Sequence, residues 1–196
     1  MANTEISRND ILDYQAYLDI RPQRKAEIIA LKKLRRIEIG PVACCYFESF
    51  DTMLYQVQEM LYIEKGGDEQ VADELAAYNP MIPNGTELSC TVMFEIDEPI
   101  RRANFLARLG GVEETMFLRF GEHEVAGKPE EDVDRTNADG KASSVQFIHF
   151  AFTKAQIRDF IAGTQVVIGF SHPQYAHMVV LQDETVAALA KDFHSL

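Results

Sequence analysis

The chain has 196 residues, 46% of them hydrophobic and 26% charged, and its 19 Lys and Arg against 31 Asp and Glu give a formal net charge of −12. A chain of this length builds one core that needs neither a disulfide framework nor a structural metal, so a single domain over residues 1–196 is expected. The acidic balance argues against nucleic-acid binding and against attraction to anionic lipid, both of which need a basic surface.

The opening Met1-Ala2-Asn3-Thr4-Glu5 lacks the charged and apolar regions of a secretory leader, and no apolar run approaches the roughly 20 residues that span a bilayer. These features predict a cytoplasmic protein. Ser7 with Asp10 resembles a capping box that starts a short helix to about Tyr17, and Pro22 suits the first turn of a second helix running to about Arg35. Together they form an N-terminal helical segment over residues 1–35. Ile37 and Ile39 alternate with charged neighbours, and Gly40-Pro41 turns the chain into Val42–Phe47, which predicts a β-hairpin.

Asp51 is the expected N-cap of a third helix, with Phe50 and Tyr55 as a hydrophobic staple; Met53, Leu54, Val57, Met60 and Leu61 form its buried stripe, and Gly66-Gly67 ends it. A fourth helix is expected from Asp68 to Tyr78, before Pro80 and Pro83. Leu88, Cys90, Val92, Phe94 and Ile96 alternate with more polar residues, the period of a strand with one wetter face. Pro99–Leu109 reads as a helix closed by Gly110-Gly111, and Thr115–Phe120 with Glu122–Ala126 as a hairpin about Gly121.

Residues 127–142, almost without apolar side chains, are expected to be a long mobile loop of the kind that covers sites. Val145–Phe152 is apolar on both faces and predicts a central strand. A helix over Thr153–Ile161, strands near Val166–Phe170 and His177–Leu181, and a last helix over Glu184–Phe193 complete an α+β fold: a mostly antiparallel sheet with helices on one side and at the N-terminus.

Positive charge is concentrated in this acidic chain, because Arg21, Arg24, Lys25, Lys32, Lys33, Arg35 and Arg36 are 7 of the 19 basic residues. On one continuous helix Arg21, Arg24, Lys25, Lys32, Arg35 and Arg36 would share an arc of roughly 120°, a basic stripe able to hold an anionic small molecule or an acidic protein partner. The competing explanation is a solvated face that pairs with the chain's own carboxylates. Glu48, Asp51, Glu59 and Glu64 lie on or beside the third helix, but none has the Glu-x-x-His spacing of a di-iron bundle, so no metal site and no cofactor are expected.

No histidine pair has the spacing of a zinc protease. His149, between Ile148 and Phe150, reads as a neutral core residue or as a base facing a cleft, and His172-Pro173-Gln174-Tyr175 as a turn. Cys44, Cys45 and Cys90 fall in expected strands, and there is no nucleophile elbow, Cys-x-x-Cys or dinucleotide fingerprint.

Ile28–Arg36, Phe47-Glu48 with Asp51-Thr52, Gln56–Leu61, Ala77–Pro80, Ile82-Pro83, Glu87-Leu88, Ser144–Phe147 and His172-Pro173 to Tyr175 resemble the bacterial domain of unknown function family 3501 over nearly the whole chain. The resemblance implies a single cytoplasmic bacterial domain without an assigned activity. It also implies an accessory role in redox or oxidative-stress metabolism, through genes for rubrerythrin-like proteins and oxidoreductases found beside the family. Three cysteines are too few for an iron–sulfur cluster, so any redox cofactor belongs to a partner.

Two functions follow as expectations. One is a non-catalytic binding or accessory protein that docks an acidic partner or anionic ligand on Arg21, Arg24, Lys32, Arg35 and Arg36. The other is a small-molecule enzyme with a pocket under the 127–142 loop, using His149 or His172 as base, Glu59 as a second acid or base, and the arginines as anion holders. A homo-oligomer would expose an apolar patch near Tyr55 and Tyr62.

Overall fold

The computed structural model describes residues 3–130, 136–137 and 140–194. After a 3-10 turn at Arg8–Asp10, the first helix, α1, spans Tyr14–Lys33 without interruption. The two expected helices are therefore one. Asp13 caps it by accepting from the Ala16 N–H at 2.9 Å, and Pro22 lies inside it on an exposed face, where water reaches the carbonyl that a proline leaves unpaired. The helix buries only Tyr17 and Ile28.

Strands β1 (Arg36–Ile39) and β2 (Ala43–Phe47) form the expected hairpin. Gly40 turns it with φ +71°, and a Cβ there would stand 2.6 Å from the His177 ring, so both conformation and space require glycine. Helix α2 spans Phe50–Glu64, and its cap is Ser49 rather than Asp51: the Ser49 hydroxyl accepts from the Thr52 N–H and the Thr52 hydroxyl from the Ser49 N–H. Its C-terminus is closed by Lys65 in the left-handed conformation, one residue before Gly66.

Helix α3 (Gly67–Tyr78), strand β3 (Glu87–Phe94), helix α4 (Pro99–Leu106), hairpin β4 (Met116–Phe120) and β5 (His123–Ala126) follow near their expected places. Within 127–142 the expectation of a loop is corrected in part. Lys128–Pro129 form a short strand, β6, on β7 (Val145–Ala151), and Ala142 donates to the Leu106 carbonyl at 3.0 Å. Residues 131–135 and 138–139 of that segment lie outside the described residues. Helix α5 (Lys154–Ile161), strands β8 (Val166–Phe170) and β9 (Met178–Val180) and helix α6 (Asp183–Leu189) complete the chain.

Among the described residues all strand pairings are antiparallel, in a five-stranded sheet of order β1-β2-β3-β7-β6 and a four-stranded sheet of order β5-β4-β8-β9. The fold is α+β. Cys45, Val92, Phe47, Cys90 and Ile148, neighbours across β2, β3 and β7, join Leu118, Phe120, Ile168 and Phe170 of the second sheet in one core. Burying each of the valine, leucine, isoleucine and phenylalanine side chains among them contributes about 1.5–3 kcal/mol. Phe152, Phe160 and Phe193 extend the core through ring contacts with Phe120 and with one another.

The other face of the five-stranded sheet carries Tyr46, Thr91 and Phe147 in register, and α2 lies over it with Met53 and Val57 in a second cluster that includes Met81 and Ile82. Strand β3 keeps the expected wetter face at its ends, where Glu87 is half-buried and Met93 exposed, but in its middle Ser89 and Thr91 are both buried. Their hydroxyls are satisfied from a distance, Ser89 donating to the Met81 carbonyl at 2.6 Å and Thr91 to Glu48 Oε1 at 2.7 Å.

Candidate functional site

The expected basic stripe is not a continuous surface. Helix α1 ends at Lys33, which leaves Arg35 and Arg36 outside it. Arg35 is buried, and its guanidinium donates to the carbonyls of Phe47 at 3.0 Å and Glu48 at 2.7 Å while pairing with Asp192. Arg36 lies in β1 and meets Glu38 at 2.7 Å, Glu95 at 3.6 Å and the Tyr46 hydroxyl at 3.1 Å.

Arg21 forks onto Glu59 with 2.7 and 2.8 Å hydrogen bonds, and Tyr17 donates its hydroxyl to the same carboxylate at 2.6 Å. Arg21 and Tyr17 hold the Glu59 carboxyl below the usual range against the opposing effect of burial. Burial, followed by Glu59, pushes the Tyr17 phenol up. Tyr62 lies under the Arg21 guanidinium, 4.5 Å away, and stacks on Tyr14. Glu59 is thus an ion-paired clasp between α1 and α2, with its oxygens already occupied. Arg24 pairs with Glu27 at 3.0 Å.

His149 stands half-buried between two carboxylates, Nε2 at 2.8 Å from Glu130 and Nδ1 at 3.5 Å from Glu87, with Lys128 opposite on β6. Glu87 first and Glu130 next raise its pKa, with burial opposing. The expected neutral core histidine is instead one held toward its charged form. His172 is buried in its turn: Nδ1 accepts from the Gln174 N–H at 3.2 Å, which leaves Nε2 to carry the proton toward the Gly110 carbonyl at 3.3 Å. Among the described residues Glu59, His149 and His172 have no hydrogen-bond partner in common, and of the three only Glu59 meets one of the predicted arginines, Arg21.

The thiols are equally occupied by the core. Burial pushes Cys44 up, and burial together with the neighbouring Cys90 pushes Cys45 well up, away from the reactive thiolate. Among the described residues no group of three or more His, Cys, Asp or Glu could hold a metal ion, and no helix is long and apolar enough to cross a membrane.

What the fold does assemble is a cavity of about 380 Å³ over the outer face of the five-stranded sheet, within the range of ligand pockets. Tyr46, Thr91 and Phe147 come from the sheet, Met53 and Gln56 from α2, and Lys32 from the end of α1. Glu48, at the corner between β2 and α2, is 5% exposed and lines the same cavity. Its Oε2 accepts from the Thr52 hydroxyl at 2.6 Å and its Oε1 from the Thr91 hydroxyl at 2.7 Å, so the carboxylate is fixed in orientation. Among the described residues Glu48 is in no ion pair, and neither is Lys32. Burial pushes the Tyr46 phenol up to about 12, and its hydroxyl is engaged by Glu95 at 2.9 Å and Arg36 at 3.1 Å.

In the sequence Glu48 stands among the carboxylates beside the third helix and in the Phe47-Glu48 pair of the family resemblance, without being singled out as a binding residue. The readable signal was the carboxylate at the end of an apolar strand, four residues before the threonine of a capping box. The Thr91 partner lies 43 residues away and had no local signature.

Comparison with known proteins places the chain among proteins without an assigned activity. The profile of a protein of unknown function, DUF3501, matches residues 5–193. The chain is similar to a novel protein of unknown function from Burkholderia pseudomallei K96243, whose crystal structure superposes with a TM-score of 0.90 at 35% identity, covering 96% of this chain and 99% of that one. No curated protein matches.

Proposed function

The chain belongs to the DUF3501 family, for which no activity is assigned, and we propose that it is a binding protein for a small organic ligand held in the cavity between the five-stranded sheet and α2. The observation that carries this reading is Glu48, a buried and oriented carboxylate lining a cavity of about 380 Å³ without a cationic partner among the described residues. Lys32, one of the basic residues expected to hold an anion, supplies that cavity with its positive charge. Native mass spectrometry of the protein purified from its own host should show a retained small molecule, lost when Met93→Trp fills the cavity wall. A bare mass, together with unmoved methyl resonances of Met53 and Met81 on adding a fragment mixture, refutes the reading.

A second reading is an accessory protein that docks an acidic partner, in keeping with the redox association of the family. Lys25 and Lys33 favour it, because both are exposed on α1 and neither is in an ion pair among the described residues. Replacing both by Ser should weaken binding of a fluorescent oligoglutamate peptide, measured by anisotropy, and reduce its salt dependence. Equal binding by the parent and the variant removes it. Arg35 is unsuitable for such a test, since its loss would unsettle the fold.

A further inference from the structure

The chemistry of the ligand follows from how charge is distributed around the cavity, and this step rests on the cavity being a ligand site. Glu48 is 5% exposed, and both of its carboxylate oxygens accept from neutral hydroxyls, Thr52 at 2.6 Å and Thr91 at 2.7 Å. Two hydroxyl dipoles orient a carboxylate but leave its charge in place. The nearby Arg35 guanidinium is committed to backbone carbonyls and to Asp192. A desolvated carboxylate gains far more from an arriving cation than an exposed one does, because the interaction is not diluted by water.

The walls fit that cation. The rings of Tyr46, Tyr78 and Phe147 and the thioethers of Met53 and Met81 line the same space, and aromatic faces attract an ammonium group. Lys32 is the one basic residue lining the cavity among the described residues; it is partly exposed and in no ion pair there, so it repels a purely cationic guest and welcomes an acidic group. We infer that the ligand is a small zwitterion, with an ammonium group at buried Glu48, an acidic group at Lys32 and an apolar or aromatic body against the methionines.

The test uses four probes of one shape and different charge: para-aminomethylbenzoate, para-methylbenzylamine, para-toluate and para-methylbenzyl alcohol, titrated into the intact chain by calorimetry and followed at the Met53 and Met81 methyl resonances. The zwitterion should bind at least tenfold more tightly than the alcohol, with the singly charged probes weaker than the zwitterion. Glu48→Gln, which keeps the shape and accepts a hydroxyl proton, should remove the advantage conferred by the amine and leave that of the carboxylate. Lys32→Met should do the reverse. The ranking on the unmodified chain carries the test even if a variant fails to fold. Equal binding of alcohol and zwitterion overturns the zwitterion while the cavity remains a ligand site; unchanged zwitterion affinity in Lys32→Met overturns its acidic end. No methyl shift with any probe at millimolar concentration overturns both this inference and the reading it rests on.

Discussion

Replacing Arg35 by Met should be among the most damaging single changes in the molecule, although in sequence it is one arginine in a basic run. Its guanidinium donates to Phe47 O at 3.0 Å, Glu48 O at 2.7 Å and Ala188 O at 3.4 Å, and it pairs with Asp192, whose side chain is only 11% exposed. Methionine preserves much of the stem's packing but strands the Asp192 carboxylate, and removing one partner of a buried pair costs about 3–5 kcal/mol. Stranded carbonyls cost about 1–3 kcal/mol each where water cannot reach them. A loss of about 4 kcal/mol is then a large part of the roughly 5–15 kcal/mol that holds a domain together. Burial already pushes the Asp192 carboxyl up, with Arg35 opposing. Without Arg35 the folded-state value rises further, so the variant should recover stability on acidification and lose it as pH rises through that value. The double variant Arg35→Met, Asp192→Asn removes both charges and should be more stable than the single one by about 2 kcal/mol or more, a coupling that urea unfolding at constant m-value can read. A loss below about 1 kcal/mol for Arg35→Met, or strictly additive losses in the double variant, would refute the reasoning.

Further predictions follow from single side chains. His149, raised by Glu87 and then Glu130, contributes stability that is fully present below the ordinary histidine value near 6.5 and lost as pH rises through its higher folded value; the urea midpoint should fall above that pH, and His149→Gln should flatten the profile. A parent profile already flat over about pH 6 to 9 contradicts this. Tyr175 donates to Ile39 O at 2.6 Å and accepts from the Ala43 N–H at 2.9 Å across the β1–β2 turn, so Tyr175→Phe should cost about 1–3 kcal/mol, and an unchanged calorimetric melting temperature would count against it. Ser49→Ala removes the α2 cap and should cost about 1 kcal/mol by urea unfolding, whereas Asp51→Ala should leave that cap intact.

Much of the architecture was legible because it is written in local periods. The β1–β2 hairpin follows from Ile37 and Ile39 alternating up to Gly40-Pro41, and the β4–β5 hairpin from Gly121. The errors arose where two local signals competed. Pro22 is a good helix starter, yet Asp13 caps the chain earlier, and α1 continues through the exposed proline despite the roughly 3 kcal/mol that a proline in a helix interior costs. Asp51 and Ser49 are both able caps, but only Ser49 has a reciprocal partner three residues on in Thr52. The burial of Ser89 and Thr91 in the middle of β3 was not legible, because the acceptors that satisfy them come from Met81 and Glu48.

The candidate site was less legible for a related reason: a sequence displays charges but not their partners. Arg21 and Glu59 are 38 residues apart, and Arg35 and Asp192 are 157 apart, so a clustered basic run looked like a surface offered to a ligand when two of its arginines were already committed inside the fold. Once such pairs are assigned, charge left unpaired is more informative than charge that is clustered. A carboxylate in a solvated cluster pays little for lacking a partner, whereas a buried one held by neutral hydroxyls keeps a desolvation cost that an incoming cation can offset. By that criterion Glu48, inconspicuous among 31 acidic residues, is the better guide to function than the seven basic residues of the run.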